Sequence, residues 1–164
     1  MTKKTENLWK TYEAINGLIR FADAKATAIL ALNGVIAGFY FSNIGSIQTV
    51  LEQRSIAVIP LVVALGFVLI SAGLAAHCLI PRLGTKKDCL IFFCDITRTY
   101  KNATDYEKAI KKATSDRIET DLAHQIWINS GIASKKYGSV WYSIFFFVAT
   151  LFASIAFAVV VIWR

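Results

Sequence analysis

Apolar side chains return every three or four positions along the first forty residues: Leu8, Tyr12, Ile15, Ile19, Ala22, Ala26 and Ile29, with Asn33 and Ile36 on the same line. That rhythm is one face of an α-helix. No Pro interrupts it, and Gly17 weakens it only slightly. It predicts one helix from about Leu8 to Tyr40. A second stripe runs beside the first: Asn16, Arg20, Asp23 and Thr27. Arg20 and Asp23 are three apart, so they are helical neighbours able to pair. Lys25 points elsewhere, where its ammonium can reach lipid headgroups.

Charge then vanishes in long runs. Ala26–Ser42 is 17 residues without a charge, Ser55–Pro81 is 27 with only His77 and Cys78 ionisable, and Ser139–Trp163 is 25. A bilayer core about 30 Å thick needs roughly 20 apolar residues as a helix. Three runs of this kind in one chain predict three transmembrane helices. Phe39, Tyr40 and Phe41 suit an interface at the far end of the first, as do Trp141, Tyr142 and Trp163 at the ends of the third. The polar lead of 25 residues holds acids and is followed by no small-residue cleavage pattern, so the first run reads as a span rather than a secretory leader. Between spans, Gly84–Asp88 reads as a turn or loop, and Leu90–Phe93, too short for a span, as a helical turn in preference to a strand. The capping-box spacing Thr104-Asp-Tyr-Glu107 starts a helix over about Asp105–Ala113. From Asp116 onward nothing breaks a single helix up to Trp163.

The expected architecture is all-α: an integral membrane protein with three transmembrane helices and a helical segment between the second and third. Its parts are residues 1–25, an N-terminal helix continuing into the first span; 26–42, the first span; 43–54, an outer loop; 55–81, the second span; 82–138, a helical segment; and 139–163, the third span.

Composition adds orientation. The chain of 164 residues is 55% hydrophobic with a formal charge of +7, and its mean hydropathy is +0.50. Five Lys and Arg lie in the first 25 residues and eleven in Arg82–Gly138, against Arg54 alone in the short loop and Arg164 after the last span. The positive-inside rule then places the N-terminus and the long segment in the cytoplasm, and residues 43–54 in the periplasm. Cys78, Cys89 and Cys94 fall on or near that reducing side, so free thiols are expected.

Candidate chemistry is sparse. No nucleophile elbow, Walker motif, HExxH or GxGxxG is present. The two histidines are far apart, and no CxxC spacing suggests a metal. Asp116, Glu119 and Asp121 read as a solvated acidic helix start. The sequence therefore predicts no enzyme, no metal, no cofactor and no nucleic-acid partner. Gly34 and Gly38 form a GxxxG pair within an apolar helix, and Ala149, Thr150, Ala153, Ser154 and Ala158 give further small-residue pairs; both patterns permit close helix approach, within or between chains. Asn33 is a mid-span amide that needs a partner. The segment 82–138 mixes eleven bases with Phe92, Phe93, Tyr100, Tyr106 and Trp127, a combination able to hold a phosphate and stack a base.

Taken in order, FADAKA before a glycine-containing span, then LIFFCDI, YEKAI and DLAHQIWINSGIASKKY leading into a final span resemble the membrane effectors of bacterial Pycsar anti-phage systems. The likeness covers roughly Trp9–Trp163 and is carried best by Arg20, Asp23, Lys25, Ala26, Asp121, Leu122, Gln125, Ile126, Lys136 and Tyr137. It implies a membrane effector, switched on by cyclic CMP or cyclic UMP from a partner cyclase, that impairs the bacterial inner membrane so that the cell dies before phage mature. It supplies no ligand-binding motif. Arg98, Tyr100 and Arg117 are the candidate ligand contacts. Asp23 with Arg20, and Asp23 against Lys135 and Lys136, are the candidate coupling residues at the membrane edge. Asn33, Gly34 and Gly38 are the candidate packing residues of a homo-oligomer in the bilayer. A small channel or transporter subunit, or a membrane-anchored scaffold for a protein partner, is the alternative.

Overall fold

The computed structural model describes residues 2–82 and 89–162. All regular structure among them is helical. Helix α1 spans Lys3–Ser42 and α2 Ile44–Gln53. A 3-10 turn, Ser55–Ala57, leads into α3, Val58–Leu79. Helices α4, Phe93–Thr99, and α5, Ala103–Lys112, are short. Helix α6 runs unbroken over Ser115–Ile162, 48 residues or about 72 Å at 1.5 Å per residue. Three helical stretches, within Lys3–Ser42, Ser55–Leu79 and Ser115–Ile162, are long and apolar enough to cross a membrane.

Several local expectations need correction. The short link expected between the first two spans is itself helical over Ile44–Gln53, where Ile47 and Leu51 of α2 pack against Tyr40, Leu61 and Ala64. Tyr40 is buried within the bundle, its hydroxyl paired with Ser154 Oγ at 2.8 Å, whereas Phe39 and Phe41 beside it are exposed. Helix α5 is capped by Asn102, whose side chain accepts from the Asp105 N–H at 2.8 Å, not by Thr104. Leu90 and Ile91 form a bend, and helix begins only at Phe93. The expected turn at Gly84–Asp88 lies outside the described residues. Pro60 sits in the first turn of α3, where its missing N–H costs nothing. Pro81 disfavours helix at the residue before it, and Ile80 is extended, ending α3.

The chain divides into two compact units. One comprises Met1–Phe21 and Pro81–Lys135, the other Ala22–Ile80 and Lys136–Arg164. In the first, Asp121, Leu122 and Gln125 of α6 are fully buried, with Cys89 and Leu90 also in the core. In the second, Ala22, Ala26 and Ile29 of α1 pack with Ala75 and Cys78 of α3 and Val140 of α6. Four of these six are Ala or Cys, which lets helices approach closely where no hydrophobic effect drives them together.

The packing period of the second unit is seven. Buried α3 residues are Leu61, Ala64, Val68, Ser71, Ala75 and Cys78, alternating by three and four. On α1, Ala22, Ala26, Ile29, Asn33 and Tyr40 are buried; on α6, Lys136, Val140, Ser143 and Thr150 are. A strict seven-residue repeat keeps one seam facing its neighbours and gives helices a left-handed supercoil. At the end of α6, Arg54 donates to the Val160 carbonyl at 2.6 Å, satisfying one of the acceptors that every helix leaves open in its last turn.

Candidate functional site

The first unit holds a cleft of about 400 Å³ lined by Tyr100, Lys112, Thr114 and Arg117, with Leu90 and Ala109 as its apolar wall. The sequence supplies each part locally. Tyr100 ends α4, and its ring lies 5.3 Å from that of Tyr106. Lys112 is in the last turn of α5. Thr114 Oγ1 accepts from the Arg117 N–H at 3.3 Å, starting α6. Arg117 Nε stands 3.5 Å from Asp121 Oδ2, one turn along α6. Asp121 is fully buried and also accepts the Leu90 N–H at 3.1 Å. Tyr106 donates its hydroxyl to the Leu90 carbonyl at 2.8 Å, and Gln125 Nε2 meets Cys89 Sγ at 3.6 Å. Both backbone groups of the bent residue Leu90 are thus satisfied by side chains, which fixes one wall of the cleft without regular structure.

Of the three candidate ligand contacts, Tyr100 and Arg117 share this cleft. Arg98 does not line it and is exposed on α4. Lys112 and Thr114 were missed as ligand contacts from sequence, although the helix break at Ala113-Thr114 that brings them beside Arg117 was expected there. A second basic cleft, of about 440 Å³, is lined by Arg82, Trp127, Ser130 and Lys135. It absorbs Lys135, one of the two lysines considered as partners for Asp23.

Of the acids at the start of α6, Asp116 is solvated as expected, but Glu119 and Asp121 are buried. Glu119 accepts from Thr5 Oγ1 at 2.7 Å and Thr2 Oγ1 at 3.0 Å, with Lys4 Nζ at 2.7 Å. The hydrogen bond from Lys4, then those from Thr5 and Thr2, hold its carboxyl down to about 2. Hydrogen bonding to Glu119 in turn raises the Lys4 ammonium above its ordinary value. Asn129 Nδ2 donates to Asn16 Oδ1 at 2.8 Å, a second link between α1 and α6 in this unit.

The second unit contains a buried charge. Lys136 is 3% exposed, and its Nζ lies 2.5 Å from Asp23 Oδ1 and 2.6 Å from the Cys78 carbonyl oxygen. One ammonium therefore joins α1 to α6 and satisfies an acceptor in the last turn of α3, where cations are favoured. The partner of Asp23 is Lys136, not Arg20, which is exposed. Asp23 remains about one-third exposed. Deeper in the same unit, Asn33 Nδ2 donates to Ser71 Oγ at 2.9 Å and to the Ile29 carbonyl at 2.9 Å. Ser71 donates to the Ser143 carbonyl at 2.9 Å, and Ser143 returns a bond to the Ser71 carbonyl at 2.8 Å. Gly34 and Gly38 are outside this network: both are exposed, with no atom within 4 Å of where a Cβ would stand.

A family model described as the Pycsar effector protein domain, PycTM, matches residues 7–163. The chain belongs to the PycTM family. It is therefore an effector of a Pycsar anti-phage system, which sets it in a cyclic-nucleotide signalling context, and its three apolar helices make it a membrane protein. No curated protein and no solved structure matches the chain. Within this PycTM chain the family match takes in both clefts and the buried Lys136 pair, since all lie between residues 7 and 163.

Proposed function

We propose that this effector is switched on by a cyclic pyrimidine mononucleotide, cyclic CMP or cyclic UMP, held in the cleft of Tyr100, Lys112 and Arg117, and that the occupied protein impairs the bacterial inner membrane. The observation that carries the reading is the meeting of two cations, a hydroxyl and an aromatic ring in one cleft of about 400 Å³. That volume falls within the roughly 300–1,000 Å³ of small-molecule sites. Arg117 and Lys112 suit the single negative phosphodiester, and Tyr100 offers a face to the base. The chain acts without catalysing a reaction: the ligand changes which helical packing is favoured.

Coupling follows from chain continuity. Arg117 and Lys136 are on one unbroken helix, α6. A ligand that shifts the start of that helix biases the hold of Lys136 on Asp23 and Cys78. The five and eleven bases of residues 1–25 and 82–138 favour a cytoplasmic N-terminus and ligand cleft, facing the cyclase product. The open face of Gly34 and Gly38 is the surface for assembly of several copies in the bilayer.

Calorimetry on the purified full chain tests the ligand. Cyclic CMP or cyclic UMP should bind, and Arg117→Ala should weaken binding roughly ten- to a hundredfold, the loss of one charge-assisted contact worth about 1.5–3 kcal/mol. Lys135→Ala, in the other basic cleft, should bind as the unaltered chain does. Absence of heat with every cyclic mononucleotide would overturn the reading; loss on Lys135→Ala alone would move the site to the Arg82–Trp127 cleft.

A further inference from the structure

The second unit keeps polar side chains in its core at a regular interval. Lys136, Ser143 and Thr150 are seven residues apart on α6 and are all buried. Ser154, one turn further, pairs with Tyr40. From Lys136 to Ser154 is about 27 Å of helix, close to the roughly 30 Å depth of a bilayer core. A seven-residue spacing holds them on one seam rather than letting them wander around the helix. Partners from the other helices meet the seam at three levels: Asp23 at Lys136, Asn33 with Ser71 at Ser143, and Tyr40 at Ser154.

The middle level is not fully satisfied. Asn33 is 1% exposed, both its donor bonds are made, yet its Oδ1 accepts none. A buried acceptor without a donor is a cost that a water molecule relieves. Among the described residues of this unit, the packed core is least content at Asn33 Oδ1, where hydration would complete its bonding. Between this level and Lys136 stands an apolar layer of Val140 packed with Ala26, Ile29 and Ala75, which separates the polar levels.

We propose that this seam is a proton path, closed in the packed bundle by the Val140 layer and completed by water when that layer loosens. Hydroxyls and water both donate and accept. A proton entering at one mouth is passed by successive hops, each oxygen taking one proton and releasing another, so every group ends as it began and one proton leaves at the far mouth. The seam carries no anion along its inner length to stabilise a metal cation, and at its mouth the charge of Lys136 is paired with Asp23. The effector would then collapse the proton gradient before any gross lesion. This rests on the proposed effector reading for what opens the layer, not for the path itself.

The test uses the full chain in phospholipid vesicles loaded with a pH dye or, separately, with carboxyfluorescein, with no nucleotide added. Val140→Ser should raise proton influx at least tenfold over the unaltered chain, and Val140→Ala should raise it less. Asn33→Leu added to Val140→Ser should return the flux towards the starting rate, and carboxyfluorescein should stay inside throughout. Helical content by circular dichroism and recovery in the vesicle fraction check that each variant is folded and inserted. Unaltered proton flux in both inserted Val140 variants, flux insensitive to Asn33→Leu, or dye escaping with the protons would each overturn the proposal. Nucleotide binding measured on the same variants separates this outcome from failure of the ligand reading: a chain that binds no nucleotide but leaks protons through Val140→Ser sinks only the latter.

Discussion

The two units bury polar groups by different rules. In the first, Asp121, Glu119, Gln125 and Asn129 are buried on α6 and reach out to other segments: the Leu90 N–H, the hydroxyls of Thr2 and Thr5, Cys89 Sγ and Asn16. The core is assembled by side chains that hold irregular backbone in place. In the second, Ser71, Ser143 and Thr150 sit at heptad positions and bond largely to helix carbonyls. There the core is a set of regular helices with occasional polar positions. The cleft that gathers cations beside an aromatic ring belongs to the first kind of core, whereas the groove of about 570 Å³ in the second is lined mostly by apolar side chains such as Val35, Ile36, Phe39 and Leu151. A cooperative shift of helix against helix is easier in the second, where small residues and few interlocking side chains set the packing.

The largest expected effect breaks the second unit at its charge. Asp23→Ala leaves the Lys136 ammonium buried with only the Cys78 carbonyl. Because Asp23 is partly exposed, the loss should lie between the 3–5 kcal/mol of a fully buried pair and the 0–1 of a surface one, at about 2 kcal/mol. Thermal unfolding in detergent checks the value, and the exchange Asp23→Lys with Lys136→Asp should recover part of it. If Asp23→Ala is as stable and as toxic to cells as the unaltered protein, the pair plays no part in coupling.

The comparison is sharpened by the matching cut in the first unit. Asp121→Ala strips the acceptor from the buried Leu90 N–H, which should cost about 1–3 kcal/mol. It also removes a neighbour of Arg117, so nucleotide affinity should fall together with stability. Asn33→Leu in the second unit should cost less, about 1 kcal/mol or under, since intramembrane hydrogen bonds average near 0.6 kcal/mol and its unpaired Oδ1 offsets part of the loss.

A smaller effect is a pH dependence confined to the first unit. Glu119 is depressed to about 2, so its contribution is complete above its ordinary value near 4.5 and fades as pH falls towards 2. Lys4 is raised, so its share is complete below its ordinary 10.5 and fades only as pH rises through the folded value. Amide exchange in the first turn of α1 should therefore be slow and flat from about pH 5 to 10 once corrected for intrinsic rates, and should rise below that window. Glu119→Gln should remove the acid limb. An acid limb that survives Glu119→Gln assigns it to another group.

The helices were legible because their signals are periodic. Leu8 through Ile36 kept one face over the whole of α1, and the charge-free runs located three spans. The Asp23 stripe pointed at the membrane edge, but the identity of its partner needed the fold: Lys135 and Lys136 are adjacent in sequence, and one helical step of 100° sends one to the Asp23 carboxylate and the other to the Arg82 cleft. The cleft itself was half legible. Tyr100 and Arg117 were visible as an aromatic and a cation. The break at Ala113-Thr114 that joins Lys112 and Thr114 to them was expected from sequence, but the way the chain folds there onto Tyr100 and Leu90 is set by tertiary packing. Residues 89–92 escaped for the same reason, since their shape is set by Asp121 and Tyr106, far along the chain.

The central claim is that a nucleotide bound in the first unit loosens the second. Hydrogen–deuterium exchange on the full chain in nanodiscs, with and without cyclic CMP or cyclic UMP, reads both units at once. Residues 100–121 should become more protected on binding, while residues 136–150 and the part of α3 around Ser71 exchange faster. Protection of 100–121 with no change beyond Lys136 would contradict the coupling.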